Sequence, residues 1–222
     1  MQAYRSQLLR FDPSGQPLYD SDGMLVVCGD ESGIQRVLDA GPSRDVTRRH
    51  PRVPITHWPD RIVAPGFIDM HVHYPQTDII GSPADGLLPW LEKYTFPAEA
   101  RFSDAGYAAE VANFFFDELL RNGVTTALVF TTTDPTSTDA FFARAQHYGL
   151  RMLGGKVLQD RNTPDGLRDD TEQSLLDSEA LLQRWHGRGR LTYVISPRFS
   201  PTSTEAPSVS AAPPLRETSS SL

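Results

Sequence analysis

Two histidines one residue apart, His71 and His73, stand at the end of the apolar run RIVAPGFIDMHVH. In an extended segment, residues i and i+2 project to the same side. Two neutral imidazoles held side by side can grip a single divalent ion, and zinc is the metal that suits them best. A bare His-x-His is more often a pair of ordinary strand-end histidines. Here the pair follows Pro65-Gly66 and Asp69 on a compact apolar segment, and that context favours a metal site. The other histidines carry blander readings. His147 and His186 lie near predicted helix C-termini, where a cation complements the helix dipole. His50 and His57 sit in a Pro-containing stretch and receive no role.

The elements that must position the pair follow from the hydrophobic pattern. Residues 1–60 read as a small β-rich segment, with strands at QLLRF and GMLVVCGD separated by a turn-rich stretch from Asp12 to Gly23. ESGIQRVLDAG fits either a short strand or a helical turn. From Arg61 the pattern becomes strands alternating with helices. RIVAPGFIDMHVH reads as one buried strand. A helix follows, with Ser103 as its cap, Tyr107, Ala108, Val111, Phe114, Phe115 and Leu119 at helical spacing, and Asn122-Gly123 as its stop. Then come the strand VTTALVF, a helix from Thr138 to Tyr148 ended by Gly149, the strand LRMLGGKVL, a helix from Asp170 to His186, and the strand RLTYVIS. Such alternation implies α/β architecture with parallel βαβ units. Four strands of this kind make either an open sheet or half of a (β/α)8 barrel, and the pattern does not choose between them.

Bulk properties exclude several classes. The 222 residues carry a formal net charge of -7, with 21 Lys and Arg against 28 Asp and Glu. No excess of cationic side chains is available for nucleic acid phosphates or for a polybasic membrane contact. Cys28 is the one cysteine, so an intramolecular disulfide is excluded. No apolar run is long enough to span a bilayer, and no secretory h-region opens the chain. A soluble cytoplasmic protein is expected. Residues 201–222, rich in Ser, Pro, Thr and Ala, are expected to form a disordered tail. A reading frame broken near Ala206 is the sharper explanation of that stretch.

PGFIDMHVH resembles the first-strand signature of the amidohydrolase superfamily, P-G-[FL]-[IV]-D-x-H-x-H. HYPQTDIIGS, LLPWLEKYTFPAEARF, NGVTTALVF and SPRFSPTST extend the likeness to the guanine deaminase family, from about Val63 to Glu205. The resemblance implies a partial (β/α)8 TIM barrel, about its first four βα units over residues 61–200, preceded by part of a small flanking β-sandwich. It implies that His71 and His73 are the first pair of Zn2+ ligands, one ion per complete site, and that two ligands where about three are needed leave this chain alone with weak metal binding or none. Gln76 then hydrogen-bonds a purine, Arg198 donates to the guanine carbonyl, and Phe199 packs beside them. Trp90, Tyr94 and Phe96 would form an apolar pocket wall. Without the resemblance, Gln76 would be a loop residue, Arg198 an exposed strand-end charge, and the aromatics core.

The implied reaction is attack of metal-activated water on guanine, giving xanthine and ammonia. The family's general acid/base glutamate lies in a later H-x-x-E motif, which this sequence does not contain. No catalytic residue is therefore assigned, and the chain alone is expected to be inactive and poorly soluble. In the family the barrel commonly forms homodimers. Two alternatives are another amidohydrolase acting on an aminated heterocycle, such as 8-oxoguanine or a triazine, and a non-catalytic purine- or metal-binding fragment.

Overall fold

A computed structural model describes residues 1–29 and 34–204. The stretch Asp30–Gly33 and the expected tail from Glu205 onward, with the suspected frame break at Ala206, lie outside the described residues. The chain divides into two compact units, Met1–Pro65 and Gly66–Leu222.

The first unit is a four-stranded mixed sheet of β1 (Gln2–Phe11), β2 (Pro17–Gly29), β3 (Gln35–Pro42) and β4 (Ile55–Val63), in the order β3-β2-β1-β4. The turn between β1 and β2 is tight because the Asp12 carboxylate accepts from the backbone N–H groups of Ser14 and Gln16. Strand β2 therefore begins at Pro17, inside the stretch expected to be turn. Pairing of Pro17–Asp20 with Leu8–Phe11 overrides its polar composition. Helix α1 (Ser43–Arg49), absent from the sequence expectation, buries Val46 with Ala3, Met24 and Val26. The described residues of this unit make one sheet.

The second unit is α/β. Strands β5 (Phe67–His73), β6 (Val124–Phe130), β7 (Arg151–Gly155) and β9 (Leu191–Tyr193) form a parallel sheet in chain order. A two-residue strand β8 (Val157–Leu158) pairs separately with β10 (Ser196–Pro197). After β5 come a 3-10 segment (Tyr74–Ile79), the short helix α2 (Leu87–Trp90), a π-helical turn (Leu91–Thr95) and helix α3 (Phe96–Ala100). The long helices α4 (Ala105–Arg121), α5 (Pro135–Tyr148) and α6 (Thr171–Trp185) separate the remaining strands. Asp104, Asp134 and Asp170 cap these three helices by accepting from backbone N–H groups in the first turn. The cap of α4 is thus Asp104 and not Ser103, whose hydroxyl donates back to Ala100. Helix α5 starts three residues earlier than Thr138, since Pro135 is well suited to a first helical turn.

Three expected strands are divided. The run from Arg61 to His73 breaks at Ala64–Gly66: β4 joins the first sheet and β5 the second. A Cβ at Gly66 would lie 2.0 Å from the Thr125 hydroxyl, so the chain can enter β5 beside β6 only with glycine there. LRMLGGKVL and RLTYVIS each split because their backbones converge, and a Cβ at Gly155 would lie 1.9 Å from the Val194 carbonyl oxygen. Residues 201–204, grouped in sequence with the tail, include the end of a 3-10 turn (Ser200–Thr202). Thr204 there hydrogen-bonds Asp160.

The core of this unit is aromatic. Phe115 and Phe116 of α4, Phe141 and Phe142 of α5 and Trp185 of α6 pack over Ala127, Val129 and Met152 of the sheet. Ring pairs such as Phe116–Phe141, with centroids 5.4 Å apart, add geometric specificity to burial. At the other extreme, edge strand β5 leaves Phe67 67% exposed, and Ile68 and Met70 are similarly open.

Candidate functional site

His71 and His73 occupy the C-terminal end of β5, where pairing to β6 shifts register between Asp69 and Val72. Such an irregularity re-aims side chains next to a site. The Asp69 carboxylate accepts from the His71 backbone N–H at 3.0 Å and steadies the kink. The next residue, Tyr74, is fully buried among Phe102, Phe115 and Phe141, and its hydroxyl donates to the Ser137 carbonyl at 2.8 Å. This anchor fixes the strand end from which the imidazoles project. Both rings rest against Phe130, with centroids 5.0 Å and 4.8 Å away.

The two Nε2 atoms are 3.3 Å apart. Two Zn–N bonds of about 2.0–2.1 Å meeting at about 109° span about 3.3–3.4 Å, so the pair has the bite of a tetrahedral metal. Burial, aided by the charge of Arg198 and by His71, holds the His73 imidazole down to about 4. It is therefore a neutral ring, as a ligand must be. His73 Nδ1 is buried without a hydrogen-bond partner. Among the described residues no group of three or more His, Cys, Asp or Glu side chains is arranged to hold a metal. The residues present fit two ligands of such a site.

The pair opens onto a cavity of about 760 Å³, also lined by Gln76, Trp90, Arg198 and Phe199. All five residues expected at a metal or purine site therefore meet in one place. Gln76 lies on the 3-10 segment two residues after Tyr74, so the anchor that fixes the histidines fixes it too. Arg198 follows β10, and its backbone N–H donates to the Leu158 carbonyl at 3.1 Å. Its side chain is only 5% exposed, which sequence alone would not suggest for a charge at a strand end. Of the expected aromatic wall, Trp90 lines the cavity. Phe96 is buried and lies under the Arg198 guanidinium, 5.6 Å from carbon to ring centroid. Tyr94 is not part of the lining; the Lys93 ammonium lies over its ring instead.

Glu99 was not anticipated. It is 1% exposed, on α3 one turn beyond Phe96. Its Oε2 accepts from Arg198 Nη1 at 2.5 Å, and its Oε1 accepts from Gln76 Nε2 at 3.4 Å. The only sequence signal was its place in WLEKYTFPAE, a segment that resemblance marks as family-specific. Nothing local distinguishes a buried glutamate from an exposed one.

The match to known proteins is extensive. Residues 62–210 match the family model described as "Amidohydrolase family". The chain is 52% identical over 144 residues to the guanine deaminase of Escherichia coli strain K12, covering 65% of this chain and 33% of that protein. Its structure is similar to that of E. coli guanine deaminase, with a TM-score of 0.85 and 39% identity over 93% of this chain and 49% of that one. It is also similar to guanine deaminase from C. acetobutylicum with bound guanine, with a TM-score of 0.80 and 28% identity over 91% of this chain and 47% of that one. The chain thus spans about a third to a half of these relatives. With the match running from just before the histidine-bearing strand through the segment that carries Arg198, the chain belongs to the amidohydrolase family.

Proposed function

We propose that this chain forms the first half of a zinc-dependent hydrolase of the guanine deaminase type, acting on guanine and water to give xanthine and ammonia. The observation that carries the reading is the convergence of His71, His73, Gln76, Arg198 and Phe199 on one cavity. The four parallel strands are then the first four βα units of a (β/α)8 barrel, with the site at the strands' C-terminal ends. The first unit would be part of a flanking sandwich. A cytoplasmic setting and homodimers of complete barrels belong to the same reading; no helix among the described residues is long and apolar enough to cross a membrane.

His71 and His73 would hold the Zn2+. When bound, such an ion supplies the Lewis acidity that activates water for attack on the amino-bearing carbon. Arg198 provides N–H donors for the purine carbonyl, Gln76 a polar contact to the ring edge, and Trp90 and Phe199 an apolar surface against which a planar base can lie. The similarity to a guanine deaminase with guanine bound supports guanine as the ligand. A general acid/base group is assigned to no described residue.

Calorimetry of the purified chain with zinc present tests the reading. Guanine is expected to bind and cytosine not, and Arg198→Ala is expected to abolish the guanine signal. No heat with guanine refutes the assignment.

A further inference from the structure

We infer that Glu99 is a positioning residue that sets the hydrogen-bond polarity of the purine pocket and so selects a purine with a carbonyl at C6 over one with an amino group there. The inference rests on the proposed reading that Gln76 and Arg198 contact the purine. Glu99 belongs to no conventional catalytic role: it faces two pocket side chains and is itself shut off from solvent.

The argument is one of donors and acceptors. A carboxylate paired with a guanidinium accepts hydrogen bonds and offers none. Gln76 can meet Glu99 Oε1 only with its NH2 group, so its amide orientation follows from chemistry. The Gln76 carbonyl, an acceptor, is then the end of the amide turned away from Glu99 and left for a ligand, while the second N–H stays on the carboxylate's side. Arg198 uses Nη1 on Glu99 Oε2 and keeps its other N–H groups, all donors. The Phe96 ring beneath the guanidinium and the backbone bond from Arg198 to Leu158 limit how far that plane can turn.

An acceptor and a donor side by side complement a ring edge that carries N–H next to C=O. Guanine has that edge at N1 and C6. In 2,6-diaminopurine the same edge carries a bare ring nitrogen and an amino group, which reverses both partners while leaving the rest of the base unchanged. A reversed edge leaves desolvated polar groups unpaired, the costliest kind of mismatch.

Replacing Glu99 by glutamine separates this role from simple structural support. The incoming amide has one acceptor and one donor. If its carbonyl serves Arg198, its NH2 faces Gln76, whose amide must flip and present NH2 to the ligand. The polarity of half the pocket then inverts without loss of volume.

The test is the ratio of dissociation constants for guanine and 2,6-diaminopurine, measured by calorimetry on the zinc-supplemented chain. The unaltered chain is expected to favour guanine by about tenfold or more. Glu99→Gln is expected to bring the ratio to within about threefold of unity, chiefly by improving 2,6-diaminopurine. Equal weakening of both ligands, with the ratio kept, would mean that Glu99 is structural only and overturns the inference. Should Glu99→Gln fail to fold, Glu99→Asp decides. It keeps the charge for Arg198 but withdraws first from the longer contact to Gln76, so an unchanged ratio there also overturns it. If the unaltered chain binds neither purine, the functional reading itself fails. Guanine binding with an unchanged ratio in the variants defeats only the role of Glu99.

Discussion

The Nε2 atoms of His71 and His73 face each other at 3.3 Å, with both rings braced on Phe130. The separation suits one tetrahedral ion, and pre-organisation by the strand reduces the entropy lost on binding. Cobalt(II) titration, followed by visible absorption, is expected to give one weak site per chain, as two ligands allow. His71→Ala and His73→Ala should each weaken binding by more than about tenfold, since even outer-shell partners of a metal are worth about 10- to 100-fold. Unaltered affinity in both variants would place the ion elsewhere.

Lys156 and Asp169 form an ion pair at 2.6 Å, with Lys156 1% exposed. Ser174 and the Gln159 backbone N–H complete the network. Burial pulls the Lys156 ammonium down and pushes the Asp169 carboxyl up, and each charge opposes the other's shift. Lys156→Met should cost about 3–5 kcal/mol in urea unfolding, because it strands a buried carboxylate. Adding Asp169→Leu should recover most of that loss, and a double variant as unstable as the single one would contradict this account.

In the first unit, hydrogen bonds from Arg5 and Ser43 hold the Asp22 carboxyl at about 2, below its ordinary 3.8. The folded group binds its proton more weakly than the unfolded chain does. Its stabilisation is therefore complete above about pH 4 and drains away as pH falls toward 2. Melting curves of the chain and of Asp22→Asn should differ at pH 6 and converge near pH 2. The gap should be modest, as Arg5 and Asp22 are both about half-exposed. A gap that widens on acidification would reverse the assigned sign.

Phe141 is fully buried against Tyr74, Phe116 and Phe142. Phe141→Ala should destabilise by about 3–5 kcal/mol through lost contacts and the cavity left behind. Because Tyr74 anchors the end of β5, the same variant should also weaken cobalt binding. Retained metal affinity in a folded but destabilised variant would uncouple the anchor from the site.

Much of this architecture was legible from local pattern. The alternation of apolar strands with 3.6-period helices marked the α/β unit, and Asn122-Gly123 and Gly149 marked where α4 and α5 end. His71 and His73 stood out because strand geometry alone dictates that i and i+2 share a side. Boundaries were harder to read. Pro17–Gly23 pairs as a strand against a turn-like composition, and the backbone contacts of Gly66 and Gly155 divide runs that look continuous. Those contacts come from residues distant in the chain.

Sequence by itself determined that two histidines share one side of a strand and the alternation that carries it, since both depend on periodicities of a few residues. Only the tertiary structure decided that Arg198 is buried, that Tyr94 stays off the cavity, and that one carboxylate joins Gln76 to an arginine 99 residues further along the chain than Glu99. Burial and pairing of charges are properties of packed neighbours. A glutamate in a helical turn has the same local signature whether it meets water or a guanidinium.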